Sequence, residues 1–291
     1  MSHSMMWGGR IKPAIPTAAY GLRTIIEGYT GPLCRIHDPA TTTEQDVFAN
    51  VDGDFPISTV EALGWNNAKI VLLYDQGPNN ADFGPRTTIA NCPEITDGSG
   101  LVHLANGKAT MNWTGNSCGI MGMDVNSDAL SADKPWFEVV MVVEEPDTSG
   151  GNRRDYFWWG TGSGTNSRAI LFNSTPSRLE YGGRRLNPNP FTVATQTVDR
   201  NTNLSLYGGA SEYINGVYKL FQNNVLQGQN TSPSSGLSQN TTGVRPEIGN
   251  SPTSGGPHGL LGKVSEIQVF DYNIEAQRGA TNVQIMNYYT I

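Results

Sequence analysis

Two stretches of this chain are apolar at nearly every position: Lys69–Tyr74 (KIVLLY) and Trp136–Val143 (WFEVVMVV). Both are too short for a buried helix and end in turn residues. Pro135 and Pro146 bound the second. Such runs predict strands buried on both faces. Elsewhere the pattern alternates. In Asp155–Gly160 (DYFWWG) a period of two sets Tyr156 and Trp158 on one face, Phe157 and Trp159 on the other. Ala169–Phe172 is a further strand after a glycine loop, and Asn203–Tyr207 alternates as a half-exposed strand would. Glu212–Lys219 reads as a hairpin, with Asn215-Gly216 as a type I′ turn. Asn223–Gly243, rich in Asn, Gln, Ser and Thr, reads as a long surface loop, and Arg245–Gly249 as a short strand. In Leu261–Tyr272, Ile267 and Val269 share one face, Glu266 and Gln268 the other. Only residues 274–288 favour a helix: Asn273 can cap it, and Ala276, Ala280, Val283 and Met286 fall near helical spacing. Gly279 weakens it.

Composition agrees with an all-β chain. The 291 residues include 34 Gly and 17 Pro, so the chain turns often. Charged residues are 15%, against about 25% in typical soluble domains. The net charge of −7, with basic pairs only at Arg153-Arg154 and Arg184-Arg185, argues against nucleic acid as a partner. No apolar run approaches the roughly 20 residues needed to span a bilayer.

Residues 1–18 read as an arm. Gly8-Gly9, Pro13 and Pro16 interrupt regular structure, and Met5, Met6 and Trp7 are apolar without a core of their own. Three such residues are costly to leave in water, so they are expected to anchor the chain on a neighbouring subunit. The arm lacks the apolar core of a secretory signal, and Arg10 and Lys12 follow its apolar residues. The expectation is a protein made in a host cytoplasm and used without secretion. Cys34, Cys92 and Cys118 fit neither a disulfide framework nor a zinc site, and buried free thiols are expected. No metal or cofactor is implied.

Two blocks carry a family resemblance. The first holds Ala19-Tyr20, Leu22-Arg23, Tyr29-Thr30-Gly31-Pro32, Arg35 and Glu44-Gln45-Asp46. The second holds Tyr74-Asp75-Gln76, Asn79 and Ala81. Together they resemble the opening of a laminin-G/concanavalin A-like β-sandwich. That domain is the catalytic module of α-L-arabinofuranosidases and occurs without catalysis in bacteriophage structural proteins. The resemblance runs from Ala19 to the C-terminus. It implies a jelly-roll β-sandwich of two antiparallel sheets over 19–291, in which the Asp-Gln pair ties a loop to the sheet.

The residues themselves offer little chemistry. Glycoside hydrolysis needs two carboxyl groups about 5 to 9.5 Å apart. Glu138, Glu144-Glu145, Asp147 and Asp155 are available, but no motif of the family surrounds any of them. Asp52-Gly53-Asp54 is a compact acidic turn, weak as a calcium site. Gly160–Gly164 lacks the lysine and helix of a phosphate loop. The four histidines are scattered and unpaired in pattern. The best binding candidates are Asp155, Tyr156, Trp158 and Trp159, since sugars stack on aromatic rings while carboxylates take their hydroxyls. One aromatic pair is expected in the core; the other is exposed if the strand binds sugar and packed between the sheets if it is structural, and the balance favours packing of both.

The resemblance and the arm together point to a virion structural protein of a tailed bacteriophage, a head decoration or fibre or a tail-fibre component. It would be a homo-oligomer, a trimer by analogy, joined to other virion proteins through its arm and gripping host surface polysaccharide. The alternatives are an arabinofuranosidase-type glycoside hydrolase and a free lectin. The balance favours no catalysis.

Overall fold

The computed structural model describes residues 11–114, 118–123, 133–145, 154–159, 168–175, 178–185, 191–197, 203–238, 246–249 and 259–291. Met5, Met6, Trp7, Asp147 and the Gly160–Gly164 loop lie outside them. The chain opens with strands β1 (Ala18–Gly21), β2 (Pro32–His37) and β3 (Glu44–Phe48), a single helical turn α1 (Ile57–Glu61), then β4 (Lys69–Leu73) and β5 (Phe83–Pro85). A small hairpin of β6 (Leu104–Ala105) and β7 (Lys108–Ala109) precedes β8 (Met111–Thr114) and β9 (Ile120–Gly122). Next come β10 (Trp136–Glu144), β11 (Arg154–Trp159), β12 (Arg168–Thr175), β13 (Arg178–Arg184) and β14 (Thr192–Thr195). The chain closes with β15 (Ser205–Glu212), β16 (Val217–Gln222), β17 (Val225–Thr231), β18 (Glu247–Ile248), β19 (Leu261–Phe270) and helix α2 (Arg278–Tyr289).

Two antiparallel sheets form the sandwich. One runs β1-β19-β10-β15-β16-β17, with β8 also on β19. The other runs β14-β13-β12-β11-β18-β9-β5-β4-β2-β3. The apolar run of β10 has the predicted cause: both its faces are covered. Phe137, Val139, Met141 and Val143 enter the core shared with the ten-stranded sheet, where Phe137 meets Phe157 and Trp159. Val140 and Val142 point the other way, into a second cluster with Ile285 and Tyr289 of α2. Each large apolar side chain so buried contributes about 1.5–3 kcal/mol. β4 follows the same rule less fully, since Lys69 and Leu72 stay half-buried. In β19, Ile267 and Val269 face the core, while Glu266 and Gln268 are bonded to each other on the opposite face.

Four expectations need correction. β15 is not half-exposed. It lies between β10 and β16, so its second face is covered by Trp136, Phe221 and the α2 cluster. The stretch from Asn223 is not all loop. Asn223 and Asn224, at φ 48° and 65°, form a tight turn into the edge strand β17, which returns along β16. That Asn-Asn pair is the two-residue hairpin turn, whereas Tyr213–Gly216 is a four-residue loop in which only Gly216 adopts positive φ. Finally, α2 buries Arg278, Thr281, Asn282, Ile285 and Tyr289, and leaves Val283 46% exposed. Asn273 accepts only the local N–H of Glu275, four residues before the helix N-cap Gln277.

The motif residues turn out to be staples. Asp75 accepts the backbone N–H groups of Ala19, Gly77 and Ala81. Gln76 accepts from Ile25 N–H and donates to the Arg23 carbonyl. Asn79 donates to the Thr17 carbonyl and Tyr20 to that of Ala81. Together they fasten the loop after β4 to β1, as the resemblance implied. Arg35 of β2 makes a two-pronged contact with Asp46 of β3, at 2.7 and 3.1 Å, and Tyr74 adds a third bond to the same carboxylate. Arg23 grips Glu266 of β19 in the same two-pronged way, at 2.7 and 3.0 Å. Ahead of β1, Ala14, Ile15 and Thr17 are already bonded to Thr281, Tyr272 and Asp271, so these arm residues belong to the body. The three cysteines are free and buried, and burial pushes their thiols up, to about 12 at Cys92 and Cys118.

Candidate functional site

The aromatic strand β11 sits between β12 and β18. Its register against β12 shifts between Asp155 and Phe157, so an extra residue is accommodated there. The bulge breaks the simple alternation. Tyr156, Phe157 and Trp159 all enter the core, and Trp158 alone faces outward. Tyr156 lies 5.6 Å from the Tyr207 ring and donates its hydroxyl to Glu145. Trp159 stacks on Phe137 at 5.7 Å.

The outward face is covered as well. Trp158 packs with Phe172, and Phe191 and Val193 close over the pair. Asp155, Tyr156, Trp158 and Trp159 are 1%, 0%, 3% and 1% exposed. Of the two alternatives the packed one holds, and the open sugar-binding pair is corrected: with the bulge and the cover of Phe191 and Val193, none of Tyr156, Phe157, Trp158 and Trp159 presents a ring face to solvent.

The outer face nevertheless gathers charge. Glu247 of β18 stands opposite Trp158 and opposite Met121 of β9. Arg86 reaches it at 2.7 Å, an ion pair without hydrogen-bond alignment. Burial pushes the Glu247 carboxyl up to about 7. The charge of Arg86 opposes that rise and the nearby Asp155 adds to it. Two carboxyl groups in one apolar setting, one of them titrating near neutrality, is an arrangement that can hold and release a proton. Glu247 was not singled out from sequence. It is one of two residues in a short strand, and only the register reveals its neighbours.

The other carboxylates considered are engaged. Glu138 takes two bonds from Arg278 at 2.7 and 2.9 Å, and Glu144 pairs with Lys263 at 3.0 Å. Glu145 holds Tyr156. Asp54 accepts from Tyr288 at 2.5 Å and from Lys108 at 3.2 Å. Among the described residues no cluster of three or more His, Cys, Asp or Glu has the geometry of a metal site.

A separate opening lies beside α1, a cleft of about 430 Å³ between that turn, the β6–β7 hairpin and Tyr288. Of the motifs read from sequence only the Asp52-Gly53-Asp54 turn touches it, through Asp54, because its walls come from three distant parts of the chain: residues 50–61, 107–109 and 288.

No protein-family profile matches the chain, and no curated protein matches it. Solved structures do. A GH54 α-L-arabinofuranosidase soaked with a cyclic sulfate inhibitor aligns with 93% of this chain at TM-score 0.61 and 13% identity. An arabinofuranosidase complexed with arabinofuranosyl-α-1,2-xylobiose aligns over the same share at TM-score 0.62 and 13% identity. The fold is a concanavalin A-like β-sandwich. This concanavalin A-like chain spans 62% of the length of those two arabinofuranosidases. The CBM40 module of Ruminococcus gnavus IT-sialidase, bound to α2,3-sialyllactose, aligns with 60% of this chain and 97% of its own, at TM-score 0.46 and 14% identity. Identities this low speak to the concanavalin A-like architecture alone.

Proposed function

We propose that this chain is a carbohydrate-recognising structural protein of a tailed-bacteriophage particle, without hydrolytic activity. The observation that carries the non-catalytic reading is the state of the candidate carboxylates. Glu138, Glu144 and Glu145 each hold a structural partner, and Asp155 is 1% exposed. A hydrolase must bring two carboxyl groups to a scissile bond. The sandwich is shared with proteins that bind glycans, which supports recognition as its use. The Gly/Pro arm that leads directly into Ala19-Tyr20 and Leu22-Arg23 supports the phage setting, whereas Asp75 and Gln76 carry only the resemblance to the sandwich domain that the phage and arabinofuranosidase settings share.

Attachment would run through Met5, Met6 and Trp7. Ala14–Thr17 are bonded to the body, so the excision that tests this is residues 1–10. The shortened protein should fold with unchanged stability and fail to join particles; assembly at the normal copy number would rule out the anchor. Trimeric display would let weak glycan contacts act together. Immunogold labelling of phage particles with antibody against the purified protein tests the setting. Label on head or tail supports it, and label confined to the lysate removes it.

One observation favours a second reading. Glu247, near pH 7 and beside Asp155, resembles an acid–base pair in its electrostatics. Release of arabinose from an aryl arabinofuranoside, lost in Glu247→Gln, would establish a hydrolase in place of the non-catalytic protein.

A further inference from the structure

We infer that the cleft between α1, the β6–β7 hairpin and Tyr288 binds a neutral glycan, one or two sugar residues at a time. The inference rests on the carbohydrate-recognition reading and assigns it a place. At about 430 Å³ the cleft falls within the range of about 300–1,000 Å³ found for small-molecule sites, towards its lower end.

One wall is fixed in advance. Two cations lie over the Tyr288 ring, the Arg23 guanidinium 4.3 Å from its centre and the Lys108 ammonium at 4.0 Å. Its hydroxyl bonds one Asp54 oxygen and Lys108 the other. Partial burial pulls the Asp54 carboxyl up, but these two bonds and the charges of Lys108 and Arg23 hold it below its ordinary value. A wall locked this way loses little entropy when a ligand arrives. The floor is apolar, built from Phe55, Pro56, Ile57 and Ala109.

The rim supplies groups a sugar can use. Asn50 spends its carbonyl oxygen on the N–H groups of Asp52 and Asp54, both at 2.9 Å, which sets the plane of its amide. Its NH₂ has no protein partner among the described residues. The same holds for the hydroxyls of Ser58 and Thr59, both exposed on α1. Glu61 uses Oε1 to accept the Val102 N–H at 3.1 Å, leaving Oε2 for a ligand hydroxyl. An amide donor, two hydroxyls and a carboxylate oxygen above an apolar floor match a polyhydroxylated ring with an apolar C–H face.

Charge selects among sugars. Asp54, Glu61 and Lys108 leave the lining with one net negative charge. Glu61 would repel a sialic or uronic acid, so the ligand is a neutral sugar.

The test is calorimetric titration of the full chain with lactose, maltose, cellobiose and xylobiose, and with sialyllactose as the acidic comparison. Ser58→Trp fills the cleft from an exposed position. Glu61→Gln keeps the acceptor for Val102 and removes the charge. Each should weaken binding of the preferred neutral disaccharide by at least about ten-fold, with an unchanged melting temperature. Wild-type binding that both variants retain in full would overturn the cleft and leave the carbohydrate reading standing. Preference for sialyllactose would overturn the neutral assignment. Failure of the wild-type chain to bind any of the sugars would overturn the cleft and the carbohydrate reading together.

Discussion

Arg278 of α2 donates two parallel hydrogen bonds to Glu138 of β10, at 2.7 and 2.9 Å, with side chains 8% and 1% exposed. Phe221 closes one side of the guanidinium, 4.4 Å from its ring centre. The pair fastens the C-terminal helix across a sheet face on which, among the described residues, Arg278 is the cation that compensates Glu138. Removing one partner strands the other in an apolar setting. Arg278→Met and Glu138→Leu should each cost about 3–5 kcal/mol in urea unfolding. The double variant should cost less than either single one, and strict additivity would show that the two groups do not act as a unit.

Asp75 serves three backbone donors with two oxygens. Asp75→Asn replaces one of those oxygens by an NH₂ and sets donor against donor. The expected loss is about 1–3 kcal/mol, read as a lowered denaturation midpoint with an unchanged slope. Because Asp75 holds the loop to β1, amide exchange should rise first at Ala19 and Ala81.

Glu247 gives the fold a pH dependence of definite sign. Its folded value, about 7, lies above its ordinary 4.5. Between those values the folded state binds more protons than the unfolded one, so stability falls as pH rises through this window. Glu247→Gln removes the fall. The difference in unfolding free energy between variant and parent should grow in the variant's favour from pH 4.5 to pH 8, by about 1–3 kcal/mol. A difference that stays flat across that range would mean that Glu247 titrates normally.

Two adjacent glycines of β15 should respond in opposite ways. A Cβ on Gly209 would stand 1.9 Å from the Tyr181 ring of the facing sheet, while one on Gly208 would meet its nearest neighbour at an ordinary 3.6 Å. Tyr181 is fully buried and held by Ser211, so it cannot move aside. Gly209→Ala should lose about 3 kcal/mol or more, or fail to accumulate as soluble protein. Gly208→Ala should stay within about 1 kcal/mol of the parent. Equal behaviour of the two would contradict the close approach of the sheets at Tyr181.

These outcomes mark what the sequence could disclose. The apolar run of β10 announced burial on both faces, because composition alone records that neither face meets water. The block from Ala19 to Ala81 announced the scaffold, since its polar residues serve backbone groups whose spacing the fold dictates. The aromatic run misled at one position. A bulge costs nothing visible in composition, yet it moved Tyr156 to the core side and left Trp158 alone outside. The helix misled through polarity: its buried stripe includes Arg278, Thr281 and Asn282, which look solvent-facing until Glu138 is found beneath them. Neither Glu247 nor the α1 cleft could be read, because both are made by strands and turns far apart along the chain.

The position of β19 carries a consequence for how the protein comes into being. It lies between β1 and β10, and β1 has no other strand partner among the described residues. A nascent chain therefore carries β1 unpaired until residue 270 has cleared the ribosome. Loop closure over so many residues makes the first strand among the last to be seated. During that interval the open edges of β1 and β10 are the places where a chaperone would bind or a second nascent chain would pair in error.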